Sequence, residues 1–236
     1  MDNVPDSGKA SRATGAYLVL GAGHFGRRAA RVLLDREPGA RVVVVDREGA
    51  ALRALSRFPV ETVRDDGIAV LGRFLAEGPA FGYVVPALPL HVAFECLLAQ
   101  ARPLGGRREA VPELPGLPNP LRGPTGDLYT SLADFRCPED CPAPARCCTV
   151  TGKRRRRPLH RILATLEGPF VPRVIHSRQL APGVGGFPPG DLARLIREIR
   201  QGKNRGDLFL VSTASRCHGV TSALSLKNIG TTGVWK

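Results

Sequence analysis

A short glycine pattern near the start of the chain constrains the fold more than any other feature of the sequence. Gly21, Gly23 and Gly26 follow the apolar run Ala16–Leu20 and open the segment His24–Arg36, in which apolar residues recur at helical spacing. An apolar run that is stopped by glycine is typical of a buried strand. The pattern therefore predicts a parallel strand, a tight turn and an amphipathic helix, in that order.

The next predicted strand ends in an acidic residue at an informative distance from this turn. Arg41–Asp46 contains four consecutive valines, as expected of a strand that is covered on both faces, and Asp46 lies twenty residues after Gly26. A carboxylate at this point accepts hydrogen bonds from an adenosine ribose, while the helix N-terminus holds the pyrophosphate. The pattern favours NAD over NADP, with Arg47 leaving NADP open, and FAD or an adenine nucleotide is also compatible.

Several residues of the turn and of the second strand are the predicted contacts to this dinucleotide. Residues 16–100 resemble NAD(P)-binding Rossmann domains in the glycine turn, the helix that leaves it and the strand ending in Asp46. They are most similar to the nucleotide-binding domain of TrkA-type potassium-transport regulators, which also place leucines at the positions of Leu52 and Leu55. The predicted cofactor-binding residues are Gly21, Gly23, His24, Phe25, Gly26, Asp46 and Arg47.

Strand and helix patterns alternate as far as residue 100, which predicts an α/β fold with a doubly wound, Rossmann-like parallel sheet and a Cys-rich C-terminal extension. We expect a flexible leader over residues 1–14 and a dinucleotide-binding domain over 15–102. A Pro/Gly-rich connection over 103–127, a Cys-rich α/β region over 128–220 and a flexible tail over 221–236 follow. The pattern does not decide whether the Cys-rich region is a separate domain.

Four of the six cysteines lie within twelve residues, in the C-x3-C-x5-C-C spacing of Cys137, Cys141, Cys147 and Cys148. Cys217-His218 follows near a predicted strand. Thiolates suit zinc or an iron-sulfur cluster, although this spacing is neither a zinc ribbon nor a common ferredoxin run. The predicted metal ligands are Cys137, Cys141, Cys147, Cys148, Cys217 and His218, with free or redox-active thiols as the alternative.

Charge and hydropathy set bounds on partners and location. The formal net charge is +13, but only five of the 34 basic residues are lysine, and no nucleic-acid recognition motif accompanies the charge. We therefore do not expect nucleic-acid binding. The first residues lack an apolar export segment. The most apolar stretch is interrupted by prolines and by His91. We interpret His91 as either an acid–base group or a capping or core residue. We expect a cytoplasmic protein with no membrane insertion, and a protein partner or homodimer is left open.

Three functions are compatible with these features. The leading interpretation is an NAD(P)-binding Rossmann protein with a C-terminal Cys/His metal or redox site; an oxidoreductase that passes electrons between the two is compatible with it, and whether the protein is an enzyme is left open. The resemblance to TrkA-type domains implies instead a non-enzymatic regulator that senses the nucleotide. A zinc-stabilised structural module on a degenerate nucleotide fold is the third. No catalytic residue is assigned from the sequence.

Overall fold

The computed structural model describes residues 15–78, 81–144, 146–202 and 207–226. The predicted leader over residues 1–14 and the part of the predicted tail over 227–236 lie outside the described residues. No helix within the described ranges is long and apolar enough to cross a membrane.

The first half of the chain alternates strands and helices around a four-stranded sheet. The strands pair in the order β3-β2-β1-β4, and all three pairings are parallel. This confirms the predicted α/β class and parallel sheet. The elements are β1 (Ala16–Leu20), α1 (His24–Arg36), β2 (Arg41–Asp46), α2 (Gly49–Arg53), β3 (Glu61–Arg64), α3 (Gly67–Glu77), β4 (Tyr83–Pro86) and α4 (Val92–Ala101).

Alternate residues of β2 pack against helices on opposite faces of this sheet. Val42 and Val44 lie in a cluster with apolar residues of α1, whereas Val43 and Val45 lie in a second cluster with residues of α3 and α4. Side chains of a strand alternate between the two faces, so a strand with helices on both sides must be apolar throughout. The valine run of the sequence meets this requirement.

The second half of the chain forms a mixed sheet, a hairpin and two helices. Within the described residues the strands of this sheet pair in the order β6-β7-β12-β11-β8, and β5 pairs with β12. The elements are β5 (Gly106–Glu109), β6 (Leu121–Arg122), β7 (Leu128–Ser131), α5 (Leu159–Ala164), β8 (Val171–His176), β9 (Arg178–Ala181), β10 (Val184–Gly186), α6 (Pro189–Arg200), β11 (Leu208–Ala214) and β12 (His218–Leu226).

Two predicted boundaries are wrong. The predicted connection over 103–127 contributes β5 and β6, and its Val111, Leu114 and Leu117 are buried in a cluster with residues of the second sheet. The predicted tail from 221 begins inside β12, which runs to Leu226. This polar stretch is ordered because the hydroxyls of Thr221 and Ser222 are buried and hydrogen-bonded, a pairing that hydropathy does not reveal.

The two sheets share one hydrophobic core. Residues of α4 and α6 lie between the sheets in a single cluster with Leu18 of β1 and Phe209 of β11. Phe187, which follows β10, is fully buried and exchanges two backbone hydrogen bonds of 2.9 Å with Val84 at the edge of the first sheet. The Cys-rich region is therefore packed into the same core and not appended to it.

Candidate functional site

The glycine turn between β1 and α1 requires glycine at two of its three positions. Gly21 has a φ of +109°, and its N–H donates to the Val45 carbonyl at 2.8 Å. A Cβ at Gly26 would lie 1.8 Å from the Gly21 carbonyl oxygen, which no side chain permits. Gly23 is different, because a Cβ there would meet no atom within 4 Å. The backbone at Gly23 is therefore open on its outer side.

Asp46, at the end of β2, is tied to this turn. Its Oδ2 accepts the Ala22 N–H at 2.6 Å, and its Oδ1 accepts the Glu48 N–H at 2.8 Å. The half-buried carboxylate is thus held beside the turn, and each oxygen retains a lone pair that can accept a further hydrogen bond. Asp46 can therefore accept hydrogen bonds from a further group beside the turn.

Arg47 points away from Asp46 and pairs with Asp66, the N-cap residue of α3. The Arg47 side chain is 74% exposed, so this pair contributes little to stability. Its partner Asp66 also accepts the Ala69 N–H at 2.7 Å. The cation beside the predicted ribose site is therefore already paired with a carboxylate.

His24 and Phe25 are exposed residues of the turn, and both face the cysteine segment, which we define as residues 137–141. His24 Nε2 lies 3.2 Å from Glu139 Oε2, and Arg28 Nε lies 4.0 Å from the same oxygen. Hydrogen bonding to His24 lowers the pKa of the exposed Glu139 carboxyl. A segment more than one hundred residues away in sequence thus lies against the N-terminus of α1.

The β9–β10 hairpin holds the cysteine segment in this place. The Cys141 carbonyl accepts the Gly183 N–H at 3.0 Å and the Gln179 Nε2 at 2.6 Å. On its other side the hairpin is bound to α1, where Arg28 donates to the Pro182 carbonyl at 3.2 Å. The hairpin therefore links the helix of the glycine turn to the cysteines.

A cavity of about 330 Å³ lies where these elements meet. It brings together four of the six predicted metal ligands and Phe25 of the turn. Cys147 and Cys148 do not line it; Cys147 is exposed, and the buried Cys148 lines a neighbouring cavity of about 410 Å³. The residues that line the cavity of about 330 Å³ include Phe25, Cys137, Cys141, Cys217, His218, Arg136, Arg155 and Arg178.

Arg155 lies among these thiols. Its guanidinium donates to Cys217 Sγ, and it is close enough to Cys137 and Cys148 to lower the pKa of both. Burial, followed by the neighbouring Cys141, gives Cys137 a net raised pKa. The pKa of Cys148 is lowered to about 7, chiefly by hydrogen bonding with the backbone of Thr151 and next by hydrogen bonding with the Thr151 hydroxyl.

The side chains as placed do not form a metal centre. Within the described part of the chain, no group of three or more His, Cys, Asp or Glu residues is arranged to hold a metal ion. Cys217 Sγ accepts a hydrogen bond from Arg155. The ring of His218 contacts the Ser131 hydroxyl, with Nδ1 and Oγ 3.1 Å apart. A cationic guanidinium beside a thiol opposes a second cation at the same position. The residues present therefore fit a group of thiols better than a metal site.

His91 belongs to the core and lines none of the described cavities. It is 2% exposed, and its ring nitrogens lie 2.8 Å from Ser222 Oγ and 2.9 Å from Thr213 Oγ1. Ser222 in turn donates to Asp127, which also pairs with Arg108. Burial lowers the pKa of His91 to about 3, so the ring is neutral. Of the two interpretations of this residue, the buried structural one describes its surroundings.

Glu139 and Arg155 are the residues of this region that sequence reasoning missed. Arg155 lies in the basic run 153–157, which in a sequence is most simply a solvated loop. Glu139 lies between two cysteines, and that position was its only signal. The partners of both are distant in sequence, so spacing could not reveal them.

Comparison with known proteins assigns the chain to a family. Residues 93–227 match the family described as "Uncharacterized protein, C-terminal domain", a match that begins in α4 and takes in the whole second sheet. The chain thus belongs to this family.

A relative from Archaeoglobus fulgidus, described as an uncharacterized protein, is 30% identical to this chain over 222 residues. The alignment covers 88% of this chain and 98% of the relative. A match of that extent includes residues of both sheets of this chain.

Proposed function

We propose that the parallel sheet is a Rossmann-like nucleotide-binding unit and that the protein binds NAD(H). One observation carries the proposal: Asp46 is fixed beside a turn whose Gly23 is open to solvent. The helix N-terminus would hold the pyrophosphate, and Asp46 would accept hydrogen bonds from the ribose hydroxyls. Because Arg47 is paired with Asp66, it does not neutralise Asp46 for a 2′-phosphate. This favours NAD over NADP.

Replacement of Gly23 tests this directly. In the free protein an alanine Cβ would contact nothing within 4 Å, and the φ of −68° suits any residue. Gly23→Ala should therefore keep the stability of the wild type but place a methyl group against the pyrophosphate. We expect NADH affinity, followed by fluorescence titration, to fall at least about tenfold.

Gly190→Ala is the matched control, since a Cβ at Gly190 also meets nothing within 4 Å and the residue lies in α6, away from the turn. It should bind NADH like the wild type. Asp46→Asn should reduce the preference for NADH over NADPH. If the wild type does not bind NADH, or if Gly23→Ala binds it unchanged, the proposal is wrong.

We further propose that the cavity beside Phe25 is the reaction site of an oxidoreductase. A bound nicotinamide supplies hydride transfer. The chain contributes Cys137, Cys141 and Cys217 as thiols, and the guanidinium of Arg155 donates to Cys217 Sγ. The proximity of these thiols to the turn supports this function over the regulator.

Anaerobically purified protein decides between the functions. We expect the wild type to oxidise NADH with artificial electron acceptors. Cys137→Ser should lose this activity but keep NADH binding. Binding without turnover would favour the nucleotide-sensing regulator. Zinc or iron in stoichiometric amount by metal analysis would contradict the thiol site, and zinc without NADH binding would leave only the structural module.

A further inference from the structure

A groove lined by arginines runs along α1, beyond the glycine turn. It has a volume of about 410 Å³ and lies between α1, the residues that follow α2, and Glu139 of the cysteine segment. We call it the arginine groove. Its lining residues are His24, Arg27, Arg28, Arg31, Ala54, Arg57, Phe58 and Glu139.

The charge of this groove is poorly balanced. Four arginines face one carboxylate, Glu139, which already contacts His24 and Arg28. Arg31 and Arg57 are exposed, and no ion pair joins either of them to a carboxylate within the described ranges. Arg27 donates only to the Ala22 carbonyl, at 3.2 Å. Several guanidinium N–H groups are therefore available to a ligand.

The floor of the groove is apolar at Phe58, in the segment that follows α2. Phe58 is half-buried, and the guanidinium carbon of Arg57 lies 5.1 Å from the centre of its ring. Such a contact holds the guanidinium plane over the ring and leaves its donors directed outward. The planar fork of arginine matches phosphate oxygens, so several arginines along one groove favour a ligand with several phosphates.

We propose that the arginine groove binds a chain of linked phosphate groups. This goes beyond the dinucleotide site, because Arg31 lies eight residues after Gly23, or about 12 Å along the helix axis at 1.5 Å per residue. A pyrophosphate at the N-terminus of α1 does not extend to Arg31. The phosphates come either from a free polyphosphate or nucleoside triphosphate, or from the backbone of a single-stranded nucleic acid.

Replacing Glu139 should change phosphate binding in the opposite direction to replacing the arginines. Its carboxylate occupies the end of the groove nearest the turn and contacts the cations that a phosphate would use. It therefore repels an incoming phosphate and competes with it for His24 and Arg28. Removing this charge should strengthen phosphate binding, whereas removing arginine charges should weaken it.

Calorimetric titration with inorganic tripolyphosphate tests both effects. Arg31→Gln/Arg57→Gln should lower the affinity at least about tenfold, as expected for the loss of charged hydrogen bonds, and Glu139→Gln should raise it about threefold or more. The matched control is Arg107→Gln/Arg161→Gln, which removes the same two charges from exposed positions elsewhere. The control should bind like the wild type, and circular dichroism should confirm that all variants fold.

The same variants separate this site from the dinucleotide site. NADH affinity should be unchanged in Arg31→Gln/Arg57→Gln; its loss would show that the groove is part of the NADH site and would overturn the proposal. Equal loss of tripolyphosphate binding in the control would reduce the effect to net charge and overturn it as well. An oligonucleotide that binds through Arg31 and Arg57 when tripolyphosphate does not would assign the phosphates to nucleic acid. Failure of both probes to bind would refute the groove alone.

Discussion

Gly23 and Gly26 lie in one turn, yet a side chain would act on them in opposite ways. At Gly26 the obstacle is the protein itself, since a Cβ would collide with the Gly21 carbonyl. At Gly23 nothing in the protein opposes a Cβ. The fold therefore requires Gly26, whereas Gly23 is required only by the proposed ligand, so substitutions at the two positions separate folding from binding.

The neutral His91 makes stability depend on pH. Its pKa is lowered to about 3 by burial, whereas an unfolded histidine titrates near 6.5. Below about pH 6.5 the unfolded state binds a proton that the folded state does not, so stability is complete above that pH and is lost as pH falls towards 3. The slope from this one residue approaches about 1.4 kcal/mol per pH unit.

Urea unfolding of the wild type and of His91→Gln between pH 7 and pH 4 measures this slope. Glutamine can hydrogen-bond to Ser222 or Thr213 but does not titrate, so the variant should lose stability less steeply with falling pH. The pKa values of His160 and His176 are also lowered, chiefly by burial, and they act in both proteins. Parallel pH profiles would show that His91 is not the source.

At the scale of elements, the β9–β10 hairpin determines where the cysteine segment lies. Gly183 in its turn has a φ of +69°, and a Cβ there would lie 1.5 Å from the Glu139 carbonyl oxygen. Gly183→Ala should therefore displace the segment, lower the free energy of unfolding by about 1–3 kcal/mol and speed the reaction of Cys137 and Cys141 with a thiol reagent.

Gly126→Ala is its control, because Gly126 also has a positive φ, +82°, but a Cβ there meets nothing within 4 Å. It carries the backbone strain without the collision. The cysteines of this control should react at the wild-type rate, as measured by the absorbance of the product that the thiol reagent releases. If both variants react alike, the hairpin does not position the segment.

Sequence periodicity predicted the elements of the first half closely because each buried strand and amphipathic helix carries its own apolar pattern. The bounds of β1, α1 and β2 agree with the predicted ones. The second sheet was largely missed, because β12 pairs with β5 and β7, which are distant in sequence. Likewise the glycine turn could be predicted as a site, but its contact with Glu139 could not.

At the scale of the whole molecule, the shared core predicts a single unfolding transition. Leu195 of α6 is 5% exposed and lies in the cluster between the two sheets. Leu195→Ala should destabilise both sheets together by about 2–5 kcal/mol. Hydrogen exchange should then show equal losses of protection for β2 and β11.

Arg197→Ala, an exposed change on the same helix, should alter neither sheet. Loss of protection confined to β11 would show that the halves unfold separately, and a single shared core would then be wrong. The same core explains why the matched family begins within α4, because this helix packs against α6 and the second sheet.

The two backbone hydrogen bonds between Phe187 and Val84 have a consequence for folding during synthesis of the chain. Synthesis proceeds from the N-terminus, so β4 and the apolar α4 leave the ribosome about a hundred residues before the residues that cover them. Until Phe187 and α6 emerge, the edge of the parallel sheet is unpaired, and such edges recruit other chains. We therefore expect the nascent N-terminal half to be prone to pairing with other chains until Phe187 and α6 have emerged.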